Sequence, residues 1–240
     1  MLIAGGVLLL DGLLAVVAGL LFWVALSQLI PAVAYLVQRS NGMGGRLFLK
    51  KPNGSIPLLW LLAYLPFVLS RYVNVVLVRL ATREPAATDL GHGLLVGGRI
   101  LAWDRAALST YEVSAVLDVC AEIPRDPGAP SDPEHYLAVP VLDASGPTVE
   151  QLSEGVDWGL QRLRAGHVLL VQCTLGHGRS ATFATALMLA TGRAASVDDA
   201  VAQMRSRRSH VGLNRPQRAS LQRALQAGAI SVPSTIGKGS

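Results

Sequence analysis

The chain has little cysteine, almost no acidic charge in its first third, and no internal repeat. Two cysteines in 240 residues rule out a disulfide-stapled scaffold. No set of Cys or His falls at the spacing of a zinc site, so no metal is expected. The lack of a repeat excludes solenoids and propellers. Asp11 is the one acid in the first 80 residues, against Arg39, Arg46, Lys50, Lys51, Arg71 and Arg79. These residues carry the whole formal net charge of +5, because beyond them 15 cations meet 15 acids. The positive charge therefore flanks apolar segments. That pattern suits a membrane surface and excludes a nucleic-acid partner.

What the first third does have is apolar length. Residues 2–37 are interrupted only by Asp11, Ser27, Gln28 and Pro31 among apolar or small residues, and about 20 apolar residues cross a bilayer. The run is too long for a signal peptide and no cation precedes it. A second stretch, 56–70, continues through Arg71 to Arg79. As a helix it crosses if Arg71 snorkels or faces a partner helix, or else it lies in the interface. Two spans are the expectation. Residues 1–83 then form a membrane anchor, 84–230 a second domain and 231–240 a disordered tail.

In the second domain, 84–91 reads as a linker, which reaches at most about 28 Å and holds the domain against the bilayer. Strands expected at 94–96, 115–119, 137–141 and 168–171 alternate with helices. Thr148 opens one helix, Ser196 and Asn214 cap two others, and a Pro-rich loop fills 124–133. The alternation implies an α/β domain with a central, mostly parallel sheet flanked by helices, preceded by two apolar membrane helices.

The last of these strands runs into Cys173, Thr174, Leu175, Gly176, His177, Gly178, Arg179 and Ser180, and a helix follows. Such a loop aims backbone N–H groups and the positive end of a helix dipole at one spot, which suits a phosphate. Cys173 would lie beneath it as nucleophile, with negative charge on sulfur favoured by the same surroundings. Arg179 offers a planar fork for two phosphoryl oxygens. The two glycines allow a tight backbone path, and Ser180 can donate to the sulfur as leaving group.

This stretch resembles the Cys-x5-Arg-Ser/Thr signature of the protein-tyrosine-phosphatase superfamily. The likeness extends over residues 93–225. Gly93 to Gly98 and Val116 to Cys120 resemble two strands of dual-specificity phosphatases, and Tyr136 to Asp143 resembles the strand and loop that deliver the general acid. Arg208 to Gln217 is similar to a late segment of the lipid-directed, mitochondrial-type branch. One departure is Gln172, where the family usually has His.

The resemblance implies a Cys-dependent phosphomonoester hydrolase working through phosphocysteine without a cofactor. Its catalytic residues would be Cys173, Arg179, Asp143 and Ser180, and its phosphate-binding loop Thr174, Leu175, Gly176, His177, Gly178 and Arg179. Asp126, Asp132 and Glu134 are fallback acids, and His177 could add positive character beside the phosphate. Cys120 and Asp118 read as core and structural residues. Seven arginines between Arg193 and Arg223, among them Arg205, Arg207 and Arg208, form a solvated surface or face anionic lipid or a second substrate phosphate. Three readings compete: a membrane-tethered phosphatase for a phosphorylated lipid headgroup, such as phosphatidylglycerophosphate or a phosphoinositide; the same chemistry on phosphotyrosine or phosphoserine of membrane-proximal phosphoproteins; and a non-catalytic phosphate binder. Tethering favours the first. Cations on both sides of the second stretch leave orientation open, and the need for a reduced thiol places the catalytic domain in the cytoplasm.

Overall fold

The computed structural model describes residues 2–130 and 132–233. Helices α1 (Leu2–Ser27), α2 (Leu29–Asn41), α3 (Leu58–Ala63) and α4 (Leu65–Thr82) come first, followed by β1 (Ala87–Asp89), β2 (Leu94–Gly97) and the short α5 (Arg105–Ser109). Next are β3 (Ala115–Cys120), β4 (Tyr136–Val141), α6 (Val149–Arg164) and β5 (Leu169–Gln172). Helices α7 (Arg179–Ala190), α8 (Val197–Arg207) and α9 (Arg215–Gln226) complete the chain. Of the expected tail, 234–240 lie outside the described residues.

The strands form one sheet in the order β1-β2-β5-β3-β4, parallel except for β1. Side chains alternate across it, as a period of two requires. Leu94, Val96, Leu117, Val119, Leu169 and Val171 face the main core, with Phe183 and Leu187 of α7 and Leu221 of α9. Leu95, Val116 and Leu170 fall into smaller clusters that exclude them from that core. Thr148, Ser196 and Asn214 cap α6, α8 and α9 by accepting from the backbone N–H of the third residue of each helix. The expected linker is a correction: 87–89 pair with β2 as an antiparallel edge strand, and Ala86, Ala87 and Leu90 are buried. Three residues are too short a run for periodicity to reveal.

Two helical stretches, Gly12–Arg39 and Leu65–Thr82, are long and apolar enough to cross a membrane. The chain between them is built into the sheet. Ala138 of β4 donates its N–H to the Pro52 carbonyl at 2.8 Å, so this segment covers the free edge of β4. A Cβ on Gly45 would lie 2.5 Å from the Pro140 oxygen. Ala34, Phe48, Tyr64 and Val68 share a buried cluster with Ala121 and Leu142 of the α/β domain.

Lys50 goes deepest. Its Nζ meets Asp118 Oδ2 at 2.8 Å and the Cys120 carbonyl at 2.7 Å. The same carboxylate oxygen accepts from Arg99 Nη1 at 2.7 Å and Tyr136 Oη at 2.6 Å. Burial by itself would raise the Asp118 carboxyl, but the Arg99 and Lys50 charges outweigh it and hold the group well below the usual range. Lys50→Met removes one cation from this buried cluster, so the full chain in detergent should lose about 3 kcal/mol of unfolding free energy. An unchanged denaturation midpoint would show that the segment does not support the fold.

Candidate active site

The site lies where the carboxyl ends of the parallel strands meet the amino end of α7, the usual ligand crevice of an α/β sheet. β5 is central, between β2 and β3, and ends one residue before Cys173. The loop 173–178 presses on the end of β2, and Arg99 N–H donates to the Thr174 carbonyl at 3.0 Å. A Cβ on Gly176 (φ +84°) would lie 2.5 Å from Gly97 C, and one on Gly98 would lie 2.8 Å from Leu175 C. Both sides of this contact, Gly176 and Gly98, need glycine, whereas Gly97 answers to β1, where its Cβ would lie 2.5 Å from the Ala86 oxygen.

Cys173 is 3% exposed. Its Sγ accepts from the Gly176 N–H at 3.3 Å and lies 3.4 Å from Ser180 Oγ. Arg179 is buried and donates to both oxygens of Glu122 at 2.8 Å, to the Val141 carbonyl at 2.8 Å and to Thr174 Oγ1 at 2.7 Å. Its Nε is buried with no hydrogen-bond acceptor among the described residues. Burial alone would raise the Glu122 carboxyl, but the Arg179 charge and hydrogen bonds hold it at about 2. Sequence reasoning missed Glu122. The signal was an acid two residues after an apolar strand, in a place where its burial is legible only once β3 and β5 are known to be neighbours.

Asp143, on the loop after β4, has Oδ1 3.3 Å from Arg179 Nη2. The expected acid is thus brought to the expected arginine. The fallback acids are not. Asp126 is buried, accepts from Gln172 Nε2 at 3.1 Å and pairs with Arg99 Nε at 3.1 Å. Asp132 pairs with His135 at 2.7 Å, and both it and Glu134 precede β4, whose far end carries the site. A second residue missed is Arg71 of α4, whose Nη2 donates to Asp143 Oδ2 at 2.6 Å. In the sequence it stands out only as a charge within an apolar stretch, 72 residues from Asp143.

Two expectations for basic residues are corrected. The His177 ring pairs with Glu84 Oε2 at 2.6 Å and stacks on His210, with centroids 5.5 Å apart. Burial pushes its pKa down despite Glu84, which favours the neutral ring. Arg208 is buried and does not face lipid. It donates to the Leu175 carbonyl at 2.9 Å and the Gly176 carbonyl at 3.2 Å, bracing the loop from behind. Glu84, His177 and His210 offer three ligand atoms close enough for a metal ion. Arg208 already lies 3.3 Å from the same carboxylate, so the cluster suits a guanidinium better than a divalent cation.

The family model of the dual specificity phosphatase catalytic domain matches residues 96–226. No curated protein matches the chain. Among solved structures, PTPMT1 in complex with PI(5)P is 19% identical, with a TM-score of 0.51 over 59% of this chain and 96% of that one. The human tyrosine phosphatase-like serine/threonine/tyrosine-interacting protein is 18% identical, with a TM-score of 0.53 over 62% and 100%. Human DUSP28 is 24% identical, with a TM-score of 0.50 over 60% and 95%. At these identities the likeness is one of fold.

The buried Glu122–Arg179 pair has a consequence for pH. With Glu122 at about 2 in the fold against 4.5 for the free group, its contribution to stability is complete above about pH 4.5 and is lost as pH falls toward 2. The unfolding free energy of the full chain should drop across that window. Glu122→Gln should flatten part of the slope and leave the part that Asp118 supplies. An identical slope in the variant would refute the pairing.

Proposed function

The chain belongs to the dual specificity phosphatase family, and from that premise we propose that it is a membrane-tethered, Cys-dependent phosphomonoester hydrolase acting on a phosphorylated lipid headgroup. Cys173 Sγ attacks phosphorus, forming an S–P bond as the P–O bond to the leaving group breaks. Asp143, protonated, gives its proton to the departing oxygen. Water then attacks the phosphocysteine, Asp143 takes a proton from it, and the S–P bond breaks to release phosphate and the thiolate. Arg179 Nε and the N–H groups of 174–179 hold the equatorial oxygens. Ser180 Oγ, 3.4 Å from the sulfur, donates to the thiolate as it leaves.

One observation supports the lipid more than a phosphoprotein. Pro31, Tyr35 and Phe67, from the apolar helices, line the same cavity as Asp143 and Glu122. The leaving group therefore departs beside the segment that holds the membrane. On this reading α1 crosses the bilayer. α4 lies along the domain, because Arg71 and Arg79, eight residues apart on it, pair with Asp143 and Asp104. Its exposed Leu69, Val73, Leu77 and Leu80 form a stripe for lipid. Residues 1–83 act as the anchor and 84–230 as the catalytic domain. Both cysteines are free, which fits a reducing cytoplasm.

Cys173→Ser should abolish phosphate release while vanadate still binds, and residual turnover would remove the nucleophile assignment. Asp143→Asn should slow alkyl phosphates by about 10²–10⁴ and nitrophenyl phosphate far less, because the better leaving group needs no proton. Equal losses would point to another acid. Vesicles carrying phosphorylated lipids, compared with phosphopeptides, decide the substrate class: faster release from the peptides would replace the lipid by a membrane-proximal phosphoprotein.

A further inference from the structure

Arg71 belongs to the helix that sequence reading gives to the membrane, yet its guanidinium enters the catalytic cleft. Nη2 lies 2.6 Å from Asp143 Oδ2, and the other oxygen of that carboxylate is 3.3 Å from Arg179 Nη2. One carboxylate thus bridges two guanidinium groups. The Arg71 side chain is 21% exposed, and its Nε is buried with no hydrogen-bond acceptor among the described residues. Glu122 Oε1, at 3.9 Å from Nη2, is beyond hydrogen-bond distance. A buried cationic donor without an acceptor is costly, and Asp143 meets only part of the fork's capacity.

Position tells which acceptor would complete it. Asp143 is the residue that protonates the leaving oxygen, so a cation beside it stands on the leaving-group side, one carboxylate away from the arginine that holds the phosphoryl group. Two cavities meet here and share Tyr35 and Asp143. One, of about 250 Å³, contains Arg71. The other, of about 770 Å³, runs between α2 and α9 past Arg39 and Arg223. There is space for a leaving group larger than a simple alcohol, and the charged groups along it include three arginines.

We infer that Arg71 is a substrate-binding residue that reads a second anionic group on the leaving group, so that the site selects a phosphomonoester whose leaving group carries its own phosphodiester. The inference rests on the phosphatase reading of the site and narrows its substrate class. A phospholipid headgroup with a diester and a terminal monoester has this chemistry, and so does the same headgroup free of its acyl chains. Binding of the diester to Arg71 also releases Asp143 from its ion pair, so the correct substrate frees its own acid. The anchor then supplies part of the specificity and does more than hold the enzyme at the surface.

The test uses the full chain in detergent and two soluble substrates. Glycerol 3-phosphate has a neutral leaving group, and glycerophosphoglycerol phosphate has a leaving group with a diester. The wild type should prefer the second. Arg71→Gln should lower the ratio of the two kcat/KM values by at least about tenfold, through KM, as expected for one charge-assisted hydrogen bond. Arg71→Lys, which keeps the charge without the fork, should retain part of the preference. No preference in the wild type overturns the inference. So does a ratio that stays constant in Arg71→Gln while both rates fall, because Arg71 would then act only by holding Asp143. Where Arg71→Gln does not fold, Arg71→Lys decides: a lowered ratio at an unchanged melting temperature supports the inference, and an unchanged ratio refutes it. The lipid reading fails separately. Soluble preference without any turnover of vesicle lipid would sink that reading and leave Arg71 in place.

Discussion

The fully buried pair between Glu122 and Arg179 sets the geometry of the site. Both oxygens of the carboxylate are taken by the two terminal nitrogens of one guanidinium, so the plane of the arginine is fixed. The pair joins the segment just after β3, the sheet neighbour of β5, to the start of α7, which follows the loop that begins at Cys173. Its surroundings complete the arrangement, since Thr174 Oγ1 donates to Glu122 at 3.0 Å and accepts from Arg179. A lone buried charge here would be far costlier than the pair, and either residue without the other would leave one. The loop 173–178 is thus held through Arg179 from inside the protein, while Arg208 holds its carbonyls from behind.

A second constraint ties the apolar N-terminal third to the catalytic domain. Lys50 sits on Asp118, Pro52 covers the edge of β4, and Arg71 reaches Asp143. A passive tether needs none of these. They make the position of α4 and the position of Asp143 mechanically dependent on each other. If α4 rests on a bilayer through its outer stripe, the loop of Asp143 lies close to the lipid surface, beside the cavity that Pro31, Tyr35 and Phe67 line.

Legibility differed from element to element. The strand into Cys173, the loop glycines and the helix behind them were readable because each is a local requirement: a buried run, a tight turn and an apolar helical run. Thr148, Ser196 and Asn214 were readable for the same reason. β1 was not, because a three-residue edge strand owes its existence to a partner and carries no pattern of its own. Arg208 carried a misleading signal. One arginine among several on a basic segment looks like surface, and only its packing beneath residues 175–176 shows otherwise. His177 misled similarly, since its position within the loop says nothing about which way the ring turns, and Glu84 turns it away.

By itself, then, the sequence determined the α/β class and the two long apolar stretches, and it singled out Cys173, Arg179 and Asp143, of which the structure sets Asp143 beside Arg179 and Cys173 beside Ser180. These depend on periodicity and on spacing within short segments, which any single chain displays. Tertiary structure decided which carboxylates are partners and which are bystanders: Glu122 orients Arg179, Asp126 is locked to Arg99 and Gln172, and Asp143 is shared between Arg179 and an arginine 72 residues upstream. The physical reason is that charge interactions inside a protein depend on distance and burial and are indifferent to separation along the chain. A carboxylate's role is therefore written in its neighbours, and those are known only once the sheet order and the seat of α4 are known.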